Sequence, residues 1–281
     1  MTPLDFLDTM KRQSEERTEA ARALRDFEQL WDAALDAPAP LAIDHTIFDI
    51  IAEVKASSPS EGVLRATSPD TAIEVAVAQA RLYEAAGAAA ISVLTEPTKF
   101  GGSLDHLRAV AAAVSIPVMR KDFLTADYQV VEAREAGASG VLLIARMLSD
   151  EDLFEMTDLA RDLGMFCLIE AFDGADLSRI NRLVVLRGHE FARGDHVGRL
   201  YIGLNCRDLA TLKIDPASFE VWKQFIPVGF PSVAESGIGT PEDAARVARL
   251  GYNLALVGSS LMKAKDPQSL AAAMIQAGRT Q

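Results

Sequence analysis

The chain has 281 residues, of which 49% are hydrophobic and 24% charged. That composition suits one large globular domain or two modest ones and excludes a wholly disordered, collagen-like or coiled-coil chain. A formal charge of −12 argues against nucleic acid or an anionic membrane as partner, since both attract basic surfaces.

Residues 1–46 carry helical spacing, with Leu4, Leu7 and Met10 followed by Leu24, Phe27, Trp31 and Leu35. Helices are expected here, capping the bottom or flank of the fold or, in part, covering an active-site mouth. The charged N-terminus has no signal-peptide apolar core, and no run of about 18 apolar residues spans a membrane. Two cysteines, Cys167 and Cys206, are too few for a disulfide framework or paired-cysteine zinc site, and a cytoplasmic protein is expected.

From residue 47 onward a helical stretch repeatedly ends in glycine and a continuously apolar run follows. Gly87, Gly137, Gly164 and Gly251 mark four such boundaries, as expected of glycines that close helices in a left-handed conformation. Eight strands are predicted: Ile50–Lys55, Ala90–Thr95, Val118–Asp122, Gly140–Ala145, Phe166–Glu170, Leu200–Asn205, Ser232–Glu235 and Leu254–Val257. Ser68, Ser149 and Thr240 are read as helix caps, the first and last followed by proline. Continuous apolar runs suit strands buried on both faces, and strict alternation with helices makes the sheet parallel. The expected fold is therefore α/β, a (β/α)8 TIM barrel at 47–281 forming a single catalytic domain, with an N-terminal helical extension at 1–46. An open doubly wound sheet is the rival, but no Gly-rich dinucleotide turn follows the first strand. The middle of the charged stretch between Arg182 and Leu200 is read as an exposed loop.

In such a barrel the strands' C-terminal ends converge on one pocket. Those ends carry Glu53 and Lys55, Thr95 and Glu96, Lys121 and Asp122, Glu170, Asn205 and Arg207, Glu235 and Ser236, and Gly258 with Ser259. Burying so many charges costs several kcal/mol each unless they pair, so their recurrence points to chemistry. Basic side chains concentrated in an acidic protein suggest an anionic substrate. Lysine beside carboxylates suits a general acid, because burial lowers its pKa while acidic neighbours hold the proton on. The Ser236-Gly-Ile-Gly and Gly258-Ser-Ser turns follow the seventh and eighth strands, where this fold binds phosphate.

The run Glu53-Val-Lys-Ala-Ser-Ser-Pro-Ser-Glu-Gly62 resembles the first-strand motif of the indole-3-glycerol-phosphate synthase family. Ser92–Ser103, Arg120-Lys-Asp-Phe123, Asn205-Cys-Arg-Asp-Leu209 and Ala234-Glu-Ser-Gly-Ile238 are similar to further family motifs, in the family's order. The resemblance implies ring closure of 1-(2-carboxyphenylamino)-1-deoxyribulose 5-phosphate with loss of carbon dioxide and water. It implies Lys121 as general acid, Glu170 as acid–base partner in dehydration, and Glu53 with Lys55 as a first-strand pair near the substrate carboxylate or a second acid. Asn205 and Ser236 match hydrogen-bonding positions, Glu235 a supporting carboxylate, and Arg207 a contact to the anthranilate ring or carboxylate. Ser58, Gly237, Gly258 and Ser259 match the phosphate cradle, and Phe123 and Leu142 the apolar wall.

This chain departs from the family pattern at Glu61, where a basic residue is common, at Cys206, often asparagine, and at Ile169-Glu-Ala-Phe-Asp, where Glu-Val-His is usual. Cys206 is read as a packed, inert thiol, and His45, His106, His189 and His196 receive no role. The expected partner is a small anionic phosphorylated substrate, with no cofactor, metal, nucleic acid or membrane. A monomer is expected, a weak homodimer being the alternative. Two other readings are another phosphate-binding barrel (an isomerase or aldolase, with Lys121 as Schiff-base nucleophile) and a non-catalytic metabolite-binding paralogue. The Arg-Lys-Asp-Phe motif weighs against the first, and the complete set of matched positions against the second.

Overall fold

The structure, a computed structural model, describes residues 3–44, 47–58, 62–63, 69–191, 199–208 and 211–281. Eight parallel strands close into a barrel: β1 (Asp49–Val54), β2 (Ala90–Leu94), β3 (Val118–Lys121), β4 (Gly140–Ile144), β5 (Phe166–Ala171), β6 (Leu200–Asn205), β7 (Ser232–Glu235) and β8 (Leu254–Val257). Closure is visible at Ile51, which pairs with Ala90 of β2 on one side and Leu256 of β8 on the other. Every strand lies within a residue or so of the span expected from its apolar run. Gly87, Gly137, Gly164 and Gly251 have φ between 74° and 88°, the left-handed geometry that stops each helix ahead of its strand.

The alternation of side chains along each strand divides the molecule into two apolar regions. One set of side chains, including Val54, Val93, Leu143, Ile169 and Val257, packs outward against the ring of helices. The other, including Ile51, Ala90, Met119, Leu142, Leu168, Tyr201, Val233 and Leu254, fills the barrel. Above this inner plug the same inward-facing positions turn polar, at Glu53, Lys121, Glu170 and Glu235. The apolar layer below keeps water from reaching these groups from beneath.

The helix caps follow their expected chemistry where they are described. The Ser149 hydroxyl accepts the N–H of Asp152 at 3.0 Å, and Thr240 accepts that of Asp243 at 3.2 Å. Ser68 lies outside the described residues. One expectation is corrected in part: the middle of the Arg182–Leu200 stretch is helical as far as Phe191, because one helix runs from Gly174 to Phe191. Burial of Leu183 and Phe191, with Arg161 stacked 5.5 Å from the Phe191 ring, holds its last turns. Residues 192–198 lie outside the described part.

The N-terminal segment does several things at once. Helix α1 (Pro3–Leu24) lies against the C-terminal end of the barrel, where its Lys11 ammonium donates to the carbonyl of Met147 at 3.2 Å. Helix α2 (Phe27–Asp36) packs on the flanking helix Asp127–Glu135. Ile43 joins the inner cluster with Met119, Phe166 and Tyr201, and nearby the Leu41 N–H donates to Ser139, which leads into β4. Both expected placements are therefore realised by different parts of one segment. Leu24 and Leu35 share the helical spacing but stay exposed.

Candidate active site

A cavity of about 470 Å³ opens at the C-terminal ends of the strands. It is lined by all six residues expected to carry chemistry, Glu53, Lys55, Lys121, Glu170, Asn205 and Ser236. Seven of the eight expected binding residues line it too: Phe123, Leu142, Arg207, Glu235, Gly237, Gly258 and Ser259. Ser58 ends the first strand of a two-stranded ribbon pairing with Gly62–Val63; its side chain, and Glu61 entirely, lie outside the described part.

Lys121 ends β3 and is the hub of the polar layer. Its ammonium Nζ lies 3.4 Å from Glu170 Oε2 and 3.8 Å from Glu235 Oε2. Burial works to lower its pKa, but the carboxyl groups of Glu170, Glu235 and Glu53 outweigh burial and raise it well above the ordinary lysine value. At neutral pH the side chain therefore carries its proton. Glu170 is held from both sides, because its Oε1 accepts the Asn205 amide at 2.6 Å. The Asn205 carbonyl oxygen in turn accepts the Arg207 N–H at 2.9 Å, which fixes which way the amide faces. On the opposite wall Lys55 pairs with Glu53 at 2.6 Å, again with a nearly buried carboxylate.

Glu235 is different. It is almost fully buried, and neither carboxyl oxygen has a hydrogen-bond partner. Burial, with Glu170 and Glu53 nearby, pushes its pKa well above the usual carboxylate range, opposed by Lys121. Its room comes from Gly203 on β6, where any Cβ would overlap Glu235 Oε1. A carboxyl whose folded pKa is raised contributes its stability below the unfolded value and loses it as pH rises through the folded one. Glu235→Gln is therefore expected to melt higher than the parent at about pH 8, the gap closing toward the unfolded glutamate value of about 4.3. Differential scanning calorimetry across pH checks this; a gap independent of pH would contradict it.

The turns after β7 and β8 are unusual in backbone as well as sequence. Ser236 and Gly237 both adopt φ of 67°, a conformation that costs a non-glycine residue energy and clusters at functional sites. Cys206 packs beneath this turn, its thiol donating to the Ser236 carbonyl at 3.4 Å, and burial pushes its pKa up to about 11. Gly258 was expected to serve phosphate, yet its lack of a side chain has a nearer cause. A Cβ there would overlap Glu53 Oε1 and reach 3.0 Å from Lys55 Nζ. Gly258→Ala should therefore displace the Glu53–Lys55 pair, and misplacement of about 1 Å can cost roughly 10²-fold in kcat/KM. Combined with Lys55→Met, its effect should be far less than additive, because both changes disrupt one pair. Full additivity in the double-mutant cycle would refute the shared cause.

Two expected pocket residues, Thr95 and Glu96, do not line the cavity and are corrected. They form a polar layer behind it, joined by Asp122, which itself reaches the cavity wall. The Thr95 hydroxyl donates to Asp122 Oδ2 at 2.6 Å, and Glu96 accepts three N–H groups of the short helix Pro97–Phe100. Both residues lie past the end of β2 at Leu94, where the chain follows the loop and not the sheet. Arg120, facing the helices beside the inward Lys121, donates to the Thr95 hydroxyl at 3.2 Å. Burial alone would raise the Asp122 pKa, but Arg120, Arg17 and the Thr95 hydroxyl hold it below the usual range.

Sequence reasoning missed further apolar lining residues, among them Phe6, Phe100, Ile144 and Phe172. Phe6 meets Phe123 edge-on at 5.9 Å, and Phe100 lies 6.2 Å from the same ring. Phe100 stood within a quoted motif and Phe172 just past the fifth strand, so both had a positional signal; Phe6 had only its helical register. Arg146, paired with Asp173 at 2.7 Å and Asp176 at 2.6 Å, stacks 4.6 Å over Phe172. The cavity thus combines aromatic rings with a cluster of ion pairs. Among the described residues no group of His, Cys, Asp and Glu side chains is arranged to hold a metal ion, and no helix is long and apolar enough to cross a membrane.

A paired acid and base above a sealed apolar floor, beside an aromatic wall and two Gly-rich turns, fits proton-transfer chemistry on an aromatic, anionic molecule. Comparison with known proteins agrees. The family model described as indole-3-glycerol phosphate synthase matches residues 7–274. A Nocardioides protein named indole-3-glycerol phosphate synthase is 47% identical over 78% of this chain and 76% of its own length. A Kineococcus radiotolerans protein of the same name is 42% identical over 82% of this chain and 76% of its own. A third, from Mycobacterium leprae, is 39% identical across 99% of this chain and 96% of its own. With motifs, barrel and full-length similarity in agreement, the chain belongs to the indole-3-glycerol phosphate synthase family.

Proposed function

We propose that this chain closes the pyrrole ring of 1-(2-carboxyphenylamino)-1-deoxyribulose 5-phosphate, releasing carbon dioxide and water to form indole-3-glycerol phosphate. The observation that carries the reading is the Lys121–Glu170 pair, 3.4 Å apart between an aromatic wall and two Gly-rich turns. Lys121 donates its proton to the ketone oxygen as the carboxylate-bearing ring carbon attacks the carbonyl carbon. One carbon–carbon bond forms, the carbonyl π pair becomes a hydroxyl, and the carboxylate leaves as carbon dioxide, returning its bonding pair to the ring. Dehydration follows: the hydroxyl leaves as water on protonation, and loss of a proton from carbon restores the aromatic indole. Glu170 serves this second stage, its carboxylate oriented by Asn205 at 2.6 Å. The ammonium group of Lys55, paired with Glu53, faces the substrate carboxylate or acts as a second acid.

The phosphate is assigned to the Ser236–Gly237 turn and the Gly258–Ser259 turn, with Ser58 contributing from the first-strand loop. Backbone N–H groups bind phosphate there without net positive charge. The ring is assigned to Phe123 and Leu142, joined by Phe6 and Phe100, with Arg207 at its carboxylate end. Glu235, buried and 3.8 Å from the Lys121 ammonium, is the supporting carboxyl group beside it. We keep 1–46 as an extension of a single catalytic domain at 47–281, the extension lending Phe6 to the site. A monomer is the proposed working unit, in the cytoplasm.

The test is direct. Purified protein mixed with the carboxyphenylamino substrate should develop indole fluorescence and release one equivalent of carbon dioxide. Failure to turn over, or irreversible inactivation by borohydride in the presence of substrate, would replace this reading with a binding or Schiff-base role.

A further inference from the structure

Arg17, on the middle of α1, reaches two carboxylates that belong to different strand ends. Its Nη2 donates to Asp122 Oδ1 at 2.8 Å, and its Nη1 lies 4.0 Å from Glu96 Oε1. The arginine side chain is 29% exposed while its partners are 1% and 2% exposed, so the contact is much less screened than a surface pair. Each carboxylate also grips the backbone beneath an aromatic ring. Asp122 Oδ1 accepts the N–H of Phe123 at 2.8 Å, and Glu96 Oε2 that of Phe100 at 3.1 Å. The third ring, Phe6, sits on α1 itself. Phe6 and Arg17 are separated by about three helical turns, which places both on the same face of the helix. One guanidinium thus joins the three elements that present Phe6, Phe100 and Phe123 to the cavity.

We infer that Arg17 is a positioning residue for the aryl end of the substrate, setting the spacing of these three rings without touching the reacting atoms. The inference rests on the aryl sugar-phosphate reading of the site. It also separates the two ends of the cavity, because among the described residues no hydrogen bond or ion pair of Arg17, Asp122 or Glu96 reaches the turns after β7 and β8. Other contacts of α1 include Gln13, which accepts the Thr98 hydroxyl at 3.1 Å at the exposed edge of the Pro97–Phe100 helix, Ser14, which accepts the Gln129 amide at 2.9 Å, and Arg22, which meets Asp127 at 2.5 Å in an exposed pair.

N-methylanthranilate and inorganic phosphate are suitable probes of the two ends, titrated into the full-length parent, Arg17→Met, Arg17→Lys and the control Arg22→Met. In Arg17→Met the Kd for N-methylanthranilate and the KM for substrate should rise by roughly tenfold, as expected for displaced positioning groups, with kcat changed less. Phosphate affinity should stay within about twofold, Arg17→Lys should recover part of the loss, and Arg22→Met should behave as the parent. If Arg17→Met does not fold, Arg17→Lys carries the test with a smaller loss confined to the aryl probe. Unchanged aryl binding, or an equal loss of both probes, would overturn the inference. A parent protein that binds phosphate but not N-methylanthranilate, or neither probe, would instead overturn the substrate reading on which it rests.

Discussion

Lys121→Met should lower kcat by roughly 10²–10⁴-fold, the contribution of a positioned general acid, while KM moves far less. The geometry explains the size. The ammonium group is held between Glu170 at 3.4 Å and Glu235 at 3.8 Å, and those carboxyl groups keep its proton bound despite burial. Methionine keeps the length and apolar stem of lysine, so the barrel should fold. In a single-turnover experiment both carbon dioxide release and indole formation should slow together, because protonation of the ketone oxygen precedes both. Retention of more than about a tenth of the parental kcat would be inconsistent with general acids of that strength. Lys55 would then become the better candidate.

Glu170→Gln should lower kcat by a similar roughly 10²–10⁴-fold, but at a different step. Glutamine can still meet the Asn205 amide where Oε1 now accepts at 2.6 Å, and the site's shape is kept. What disappears is a group able to take up and return a proton. Carbon dioxide release should therefore outpace indole formation, and a decarboxylated, hydrated intermediate should accumulate. Mass spectrometry of quenched reactions reads this out. Equal slowing of both products would assign Glu170 to ring closure, whereas undiminished turnover would remove it from the chemistry.

The sequence was sufficient for the barrel because each βα unit advertises itself locally. A left-handed glycine, a buried apolar run and a capped helix start all lie within a few residues of one another, and their repetition sets the topology. It was also sufficient to place Lys121, Glu170, Asn205 and Glu235 at the barrel mouth, since alternation along a strand dictates which end residue faces inward once the strand is found. The same alternation, one residue back, turned Arg120 away from the pocket toward Thr95 and Asp122. Only packing decided that Thr95 and Glu96 serve this network, because a residue past the last strand pair follows the loop and not the sheet. Only tertiary structure placed Phe6 over the mouth and Arg17 on Asp122, a contact between residues 105 positions apart that no local pattern encodes. It likewise showed that Gly258 is small for the sake of Glu53 and Lys55. Periodicity and caps are short-range properties that one segment carries alone, whereas steric room and ion-pair partners exist only where distant segments meet.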